Sequence, residues 1–322
     1  MMSLRDLLSR SVKPPVKAGL RRLRGLLPWG GREEVDALYR LLHRLVHDRD
    51  QALDLAALQT KDAFARQWDE FREGMYLGSD PWFKANVARI ISREELLIRP
   101  EWFKGKAVLD AGCGNGRWAI GFAELGVHVT AVDLNSNAVE ETRKALAPYQ
   151  VPMEFHAAPL EDLTSLFGGR QFDLVWCWGV LHHCRSFTRA FQGVCQVVKD
   201  GGLLYLYLYG RESMPVEADM ELFKTRVRFH LMSGEEQYRF LMRKSGGDPR
   251  RFHNLHDLYA PLINRRFEFG EIKTLLEQAG FRDVTRTIRH TELFVRAVKG
   301  SSEALQAWTL PPKQPPYWFE HH

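Results

Sequence analysis

Between residues 106 and 299 the chain alternates short apolar runs with helical stretches. The runs that predict strands are KAVLDAG, HVTAVDL, MEFHAA, FDLVWCWG, GLLYLYLY, FRDVTRTIRH and ELFVRAVK. The segments GRWAIGFAELG, NAVEETRKALAPY and FEFGEIKTLLEQAG have helical spacing. Strands alternating with helices predict a parallel sheet covered on both faces. The first five strands are almost continuously apolar, as expected when both faces of a sheet are buried.

Composition limits the class of protein. The 322 residues are 45% hydrophobic and 26% charged, which is typical of a globular protein with one large domain and additions, or with two domains. No apolar run is long enough to span a bilayer. Four cysteines without C-x-x-C pairing argue against a disulfide framework or a zinc site. We therefore expect a cytoplasmic protein without a metal ion.

Positive charge is concentrated in two segments. The formal net charge is +5, yet residues 1–31 carry seven Arg/Lys and one Asp, and residues 224–266 carry ten Arg/Lys and four Asp/Glu. This distribution argues against a whole-surface nucleic-acid binder and favours local contacts with anions. The basic arm 1–31 is compatible with peripheral membrane attachment, with a contact to another copy of the chain, or with a solvated segment.

A glycine-rich turn, VLDAGCGNGRW, joins the first strand to a helix. The spacing Gly112-x-Gly114-x-Gly116 differs from the G-x-G-x-x-G of dinucleotide sites. Asp110, at the end of the strand, would repel a pyrophosphate and attract an ammonium or sulfonium group. Asp133 ends the next strand, where a carboxylate suits the two hydroxyls of a ribose.

These motifs together resemble those of class I S-adenosylmethionine-dependent methyltransferases. VLDAGCGNGRW, VTAVDL, FDLVWCWGVLHHC and VVKDGGLLYLYLY resemble four family motifs in the family's order, and the resemblance covers about residues 60–299. It implies a Rossmann-like α/β fold: a seven-stranded, mostly parallel sheet with helices on both faces. We expect a basic arm and helical extension (1–59), the methyltransferase domain (60–299) with a helical cap inserted after strand five (about 211–266), and an extended C-terminal tail (300–322).

The resemblance also implies which residues bind the donor, S-adenosylmethionine. They are Asp110, Gly112, Cys113, Gly114, Asn115, Gly116, Asp133, Leu134, Trp178 and Gly179. Asp133 would hold the ribose, Leu134 would pack on the adenine, and Trp178 would lie at the methionine end. Where family members often have an acid for the adenine amine, this chain has Pro159. Backbone at Leu160, or the side chain of Asp162, is then expected to bind the adenine.

The segment FARQWDEF resembles the F-x-x-x-W element that often folds over the bound donor. Phe64, Trp68 and Phe71 fall at helical spacing. Trp68 is therefore a candidate for closing the donor site, and all three side chains are also compatible with a core position.

Methyl transfer from a sulfonium needs mainly proximity and orientation. A base is required only when the acceptor is a hydroxyl or a protonated amine. His183 and His182, directly after strand four, are the candidate bases, because ligands bind at this edge of such sheets and histidine titrates near neutral pH. The alternative is that one of the rings simply bonds to the backbone.

The segment HNLHDLYAP resembles the element that borders the acceptor pocket in related small-molecule methyltransferases. The candidate acceptor contacts are His253, His256, Asp257, Tyr259 and Arg265. Arginine suits bidentate binding of carboxylate or phosphate, so the basic cap favours an anionic acceptor. Capping bonds and a solvated basic face are the alternatives.

The sequence thus predicts a methyltransferase acting on an O or N atom of a small, anionic metabolite, sugar or lipid-linked intermediate. An RNA substrate such as tRNA is an alternative, although no RNA-binding module is recognisable. A non-catalytic donor-binding protein is another alternative. The glycine spacing and Asp110 argue against a dehydrogenase.

Overall fold

The computed structural model describes residues 49–70, 80–212 and 214–320, without the side chains of 49–52, 68–70 and 250. The chain divides into two compact units. One unit comprises Met1–Thr60 with Pro215–Leu262, and the other comprises Lys61–Met214 with Ile263–His322. The predicted arm over 1–31 lies outside the described residues. No helix within the described ranges is long and apolar enough to cross a membrane.

The helices and strands follow the predicted alternation. In chain order they are α1 Arg49–Glu70, α2 Pro81–Ile90, β1 Ala107–Ala111, α3 Arg117–Glu124, β2 His128–Asp133, α4 Ser136–Leu146, β3 Met153–Ala157, α5 Leu163–Phe167, β4 Phe172–Trp178, α6 Phe187–Gln196, β5 Val198–Leu208, α7 Val216–Leu231, α8 Gly234–Ser245, α9 Pro249–Tyr259, α10 Phe269–Gln278, β6 Phe281–Arg289, β7 Leu293–Lys299 and α11 Glu303–Gln306.

The larger unit contains a seven-stranded sheet in the order β3-β2-β1-β4-β5-β7-β6. Strands β1 to β5 pair in parallel, whereas β7 runs antiparallel to both β5 and β6. The predicted Rossmann-like fold is therefore confirmed. The strand order reverses between β1 and β4, and in such sheets ligands bind outside the carboxyl ends of the strands at that point.

Each face of the sheet is covered by helices and carries its own core. Neighbouring residues of β1 show the division, because Val108 packs in the cluster that contains Trp118 of α3. Leu109 packs in the cluster that contains Val194 of α6 and Ile272 of α10. All five of these side chains are at most 3% exposed. Burial on both faces explains why the strands are apolar without alternation.

The insertion after β5 is helical, as predicted. Ser233 and Glu236 form a capping box at the start of α8, and Gly246 ends that helix in the left-handed conformation. Phe229 and Tyr259 lie against Phe240, with ring centroids 5.7 and 5.6 Å from it. Residues 215–262 carry eight Arg/Lys and seven Asp/Glu, a net charge of +1. Residues 215–262 are therefore only weakly positive, in contrast to the basic cap that the sequence predicted.

The C-terminal segment differs from the extended tail that we expected. Residues 308–310 run beside 97–99, where the Leu310 amide donates to the Leu97 carbonyl at 2.7 Å. Tyr317 and Trp318 are each 2% exposed and belong to the core cluster on the α3 side of the sheet. The proline-rich composition suggested an extended tail, but the aromatic residues that follow the prolines bury large apolar areas.

Candidate active site

The glycine-rich turn connects β1 to α3 at the carboxyl edge of the sheet. Gly112, Gly114 and Gly116 all have left-handed backbone, with φ of 92°, 54° and 85°. The amides of Gly112 and Cys113 both donate to the Val132 carbonyl, at 2.7 and 3.0 Å, so the turn is attached to the end of β2. Since α3 begins at Arg117, its first backbone N–H groups lack partners inside the helix and suit a polar ligand.

Two of these glycines make room for protein atoms. A Cβ atom at Gly112 would lie 2.2 Å from a methyl carbon of Val180, and one at Gly116 would lie 3.0 Å from Cα of Thr142. At both positions the close neighbour belongs to the chain itself, which packs β1, β4 and α4 tightly around the turn.

We expect Gly112→Ala to lower the free energy of unfolding by about 2 kcal/mol, because it adds both an overlap and a strained φ. Gly126→Ala is the matched control, since Gly126 has a φ of 73° and no atom within 4 Å of its added Cβ. Urea unfolding should show a larger loss for Gly112→Ala, and Val180→Ala in the same chain should restore part of it. Equal losses of unfolding free energy for Gly112→Ala and Gly126→Ala would contradict the overlap with Val180.

Asp110 and Asp133 place two carboxyl groups beside the turn. Asp110 is 1% exposed, and its Oδ2 atom accepts no hydrogen bond from the described residues. Burial, and then the charge of Asp133, raise the pKa of Asp110 to about 8, against the charge of Arg117. A buried carboxylate whose charge is only partly compensated is costly. A cationic ligand would supply the missing charge and stabilise the ionised form.

Asp133 ties its own strand to the glycine turn. Its two carboxylate oxygens accept from the Gly114 amide at 3.0 Å and from the Asn135 amide at 2.8 Å. Burial raises the pKa of Asp133, and these hydrogen bonds oppose the shift. The carboxylate thus lies within hydrogen-bond reach of the turn, at the end of β2, as the sequence predicted.

The inner residues of the turn are held by a residue that the sequence analysis missed. The Thr142 hydroxyl, on α4, donates to the Gly114 carbonyl at 2.9 Å and contacts Sγ of Cys113 at 3.4 Å. Burial holds the pKa of the Cys113 thiol well above its usual range, so the thiol stays neutral. Asn115 keeps a buried Oδ1 atom that no described residue contacts by a hydrogen bond. Thr142 could have been found as a polar residue on the apolar face of α4.

The end of β4 brings an aromatic surface to the site. The Trp178 ring stacks on Tyr207 of β5 with centroids 4.0 Å apart, and the Arg117 guanidinium lies 4.5 Å from its centre. The Gly179 amide donates to the Tyr207 carbonyl at 3.1 Å. Arg117 was not predicted as a site residue, although its position directly after the last glycine of the motif was a usable signal.

The residues predicted to contact the adenine differ in exposure and in their neighbours. Leu134 is 46% exposed directly after β2, and an apolar side chain in that position can pack on a planar ligand. The Leu160 side chain is 4% exposed and belongs to the core, so its expected contact is left to the backbone. Asp162 forms an exposed ion pair with Arg189 at 3.3 Å. The predicted lid residue Trp68 has its side chain outside the described residues.

The two adjacent histidines differ sharply. His183 is 8% exposed, and its Nδ1 atom lies 2.6 Å from the Ile263 carbonyl, so Nδ1 carries the proton and donates it. In that tautomer Nε2 is the nitrogen that can accept a proton. His182 is fully buried, and burial and then the neighbouring His183 hold its pKa well below the usual range. His182 is therefore neutral near pH 7, and His183 is the better candidate base.

Arg265 supports the backbone after the histidine pair. Its guanidinium donates to the Cys184 carbonyl at 2.5 Å and to the Arg185 carbonyl at 3.0 Å, and its amide donates to the His182 carbonyl. Burial lowers the pKa of Arg265, and it remains a cation near neutral pH. The structure thus shows a structural use of this side chain, and its predicted contact with an acceptor stays a prediction.

The other predicted acceptor residues lie on α9, in the smaller unit. Nε2 of His253 lies 3.7 Å from an Asp257 carboxylate oxygen, one helical turn away. His256 is 5% and Tyr259 6% exposed, so both contribute mainly to the packing of this unit. Their role toward an acceptor stays a prediction. Among the described residues no group of His, Cys, Asp and Glu side chains is arranged to hold a metal ion.

The part of the chain that carries this site is similar to known proteins. Residues 108–202, which run from β1 through the glycine turn to the start of β5, match the model of the methyltransferase domain family. This segment is therefore similar to a methyltransferase domain, in agreement with the resemblance to class I S-adenosylmethionine-dependent methyltransferases. The matched segment contains the predicted donor residues and the histidine pair, except Trp68.

Two curated proteins of the same name are similar to part of this chain. The ubiquinone biosynthesis O-methyltransferase of Aromatoleum aromaticum is 28% identical over 162 residues, which are 49% of this chain and 64% of that protein. The enzyme of the same name from Bordetella avium is 30% identical over 121 residues, 35% of this chain and 50% of that protein. This chain therefore spans less than two thirds of these relatives.

Solved structures with a similar chain include two methyltransferases. The 1,6-didemethyltoxoflavin-N1-methyltransferase of Burkholderia thailandensis is 19% identical with a TM-score of 0.49, covering 77% of this chain and 90% of that one. The magnesium protoporphyrin IX methyltransferase of Synechocystis is 18% identical with a TM-score of 0.43, covering 70% of this chain and 85% of that one.

Proposed function

We propose that the protein transfers a methyl group from S-adenosylmethionine to an O or N atom of a small-molecule acceptor. The observation that supports this most directly is the buried Asp110 carboxyl beside the glycine turn, whose Oδ2 atom accepts no hydrogen bond from the described residues. A dinucleotide would bring a pyrophosphate and add negative charge there, whereas the donor brings an ammonium and a sulfonium. The names of these two curated relatives favour an oxygen atom as the acceptor.

In this proposal the chain's residues bind and orient a donor that is already reactive. Asp110 and the turn Gly112–Gly116 hold the amino-acid end, and Asp133 accepts hydrogen bonds from the ribose hydroxyls. Leu134 packs on the adenine, and Trp178 lies at the methionine end. When bound, the donor supplies an activated methyl group, so the protein contributes mainly proximity and orientation.

Isothermal titration tests the donor assignment. Titration with S-adenosylmethionine should show saturable binding with a stoichiometry of about one per chain, because there is one glycine turn with this pair of carboxylates in the larger unit. Titration with NAD is the matched control and should show none. Binding of NAD without binding of S-adenosylmethionine would exclude the proposal.

Donor affinity should rise with pH up to about 8. Because the pKa of Asp110 is raised from 3.8 to about 8, the carboxyl is protonated at neutral pH before the donor binds, and a cationic donor requires its ionised form. The raised pKa also means that the contribution of Asp110 to the free energy of unfolding falls as the pH rises from about 4 to about 8, because the carboxyl ionises at lower pH in the unfolded chain. Titration in buffers of different ionisation enthalpy should detect proton release below pH 8, and Asp110→Asn should abolish that release. A pH-independent stoichiometry without proton release would contradict this assignment.

For the acceptor we propose a small anionic molecule, supported by fewer residues than the sequence suggested. Arg226 donates to the carbonyls of Leu258, Pro261 and Leu262, so its hydrogen bonds already serve the backbone. Arg265 and Arg266 also donate to backbone carbonyls. The proposal therefore depends mainly on the predicted contacts of α9.

Labelled methyl transfer to a metabolite extract would identify the acceptor class. If the acceptor is anionic, the labelled product is retained on an anion-exchange resin, and it is retained less when the methyl group has neutralised the charge. Label recovered in RNA, with a strong dependence on salt concentration, would favour the RNA alternative. Donor binding without any labelled product in the extract would favour a non-catalytic donor-binding protein.

A further inference from the structure

Two adjacent carboxylates are buried in the larger unit outside the donor site. Glu94 and Glu95 end a π-helical turn, Ile91–Glu95, that follows α2. Both residues are 0% exposed. Since a buried carboxylate is costly unless it is hydrogen-bonded, its partners indicate which parts of the structure it serves. Neither residue was singled out in the sequence.

Glu94 binds the C-terminal segment. Its Oε2 atom accepts from the Lys313 ammonium at 2.6 Å and from the Trp318 amide at 2.9 Å. Its Oε1 atom accepts from the Arg89 guanidinium at 2.7 Å. Two of its three partners are cationic side chains, and charge-assisted bonds of this kind are among the stronger ones in proteins.

Glu95 binds the same segment through a side chain. One of its oxygens accepts from Nε1 of Trp318 at 2.5 Å, and the other accepts from the Tyr205 hydroxyl of β5. The Tyr205 ring stacks on Trp176 of β4 with centroids 4.3 Å apart. Together the two glutamates bind both the backbone and the ring of Trp318, so that residue is fixed at its backbone and at its side chain.

A series of direct ring contacts leads from Trp318 toward the donor site. It packs edge-on against Trp118, with centroids 5.7 Å apart. Trp118 is the second residue of α3, directly after the glycine turn, and its ring lies 5.4 Å from that of Trp178. The Arg117 guanidinium lies over Trp178 at 4.5 Å, and its charge acts on Asp110.

We propose that the C-terminal segment 311–320 holds the donor site in its binding geometry, with Trp318 as a positioning residue that acts through Trp118 on Trp178 and Arg117. The proposal rests on the donor site proposed for this protein. Its physical basis is close packing, because a core side chain that loses its neighbour relaxes into the space left behind. The glutamate pair then serves to keep the segment, and with it Trp118, in one position.

Trp318→Ala and Leu305→Ala form a matched pair that tests this inference. Leu305 is 4% exposed in the same core cluster, near the same chain end, and makes none of the ring contacts that lead to Trp178. We expect Trp318→Ala to raise the donor Kd by about 10-fold. Leu305→Ala should change it by less than about 2-fold, because sites that share no partners act independently. Trp318→Phe, which keeps a ring but loses the Nε1 donor, should give an intermediate Kd.

Hydrogen exchange without donor provides the second measurement. The amides of residues 112–118 should exchange faster in Trp318→Ala than in Leu305→Ala when each variant is measured equally far below its own unfolding midpoint. If both variants weaken donor binding equally, or if Trp318→Ala changes neither the Kd nor the exchange, the inference is wrong. If the unmodified protein binds no donor, the proposed function fails, and the exchange comparison alone decides whether Trp318 positions the turn.

Discussion

Asp110→Asn is expected to weaken S-adenosylmethionine binding by about 100-fold, since loss of a buried partner of a charged group costs about 2–5 kcal/mol. The asparagine keeps the shape of the side chain and removes the charge that would face the ammonium and sulfonium. Because the lone carboxyl is destabilising in the donor-free protein, the variant should unfold at the same temperature as the original or higher. Calorimetric titration and thermal unfolding measure the two effects.

Glu140→Gln is the matched control for Asp110→Asn. Glu140 pairs with Arg143 on the surface of α4, and both side chains are more than half exposed. Removal of its charge should leave the donor Kd unchanged, because exposed ion pairs contribute little and are screened by salt. If Asp110→Asn binds the donor as tightly as the original protein, the carboxylate does not serve the donor's positive charge.

His183→Asn is expected to lower the rate of methyl transfer by about 100-fold if the acceptor is a hydroxyl or a protonated amine. Asparagine can still donate a hydrogen bond to the Ile263 carbonyl through its amide, as Nδ1 of His183 does at 2.6 Å. It lacks the nitrogen that would accept a proton. The donor Kd should therefore stay unchanged while the turnover number falls.

His128→Gln is the control variant for His183→Asn. It changes an exposed histidine at the start of β2 and should leave the rate of methyl transfer unaltered. Single-turnover assays with the labelled acceptor fraction would show the difference. Full activity of His183→Asn would mean that His183 only supports the backbone, and that the acceptor oxygen needs no base, as in a carboxylate or phosphate.

The course of the chain through the sheet could be predicted because its signals are local. Apolar runs such as 172–178 are buried on both faces, and helices such as Ser136–Leu146 show a buried stripe at helical spacing. The strand order placed Asp110 and Asp133 at neighbouring strand ends, so their proximity followed from topology. The candidate donor residues of one motif lie together for the same reason, and their role stays a prediction.

The remaining features depend on contacts between residues far apart in the chain. The positive charge assigned to the cap came from a window of sequence, whereas Arg226 and Arg265 donate to backbone carbonyls in the folded protein. His182 and His183 are adjacent in sequence and have different environments, because only His183 has the Ile263 carbonyl beside its Nδ1 atom. No local pattern contains that carbonyl, which lies 80 residues away.

The sequence by itself determined the fold class, the turn at residues 112–116 and the two carboxylates that flank it. These follow from the periodicity of apolar residues and from short motifs, which a chain expresses locally. Only the tertiary structure decided that Gly112 makes room for Val180, and that Trp318 is buried between Glu95 and Trp118. Burial and close packing are properties of the whole assembled core, so a proline-rich chain end could be recognised as part of it only once the sheet and helices were in place.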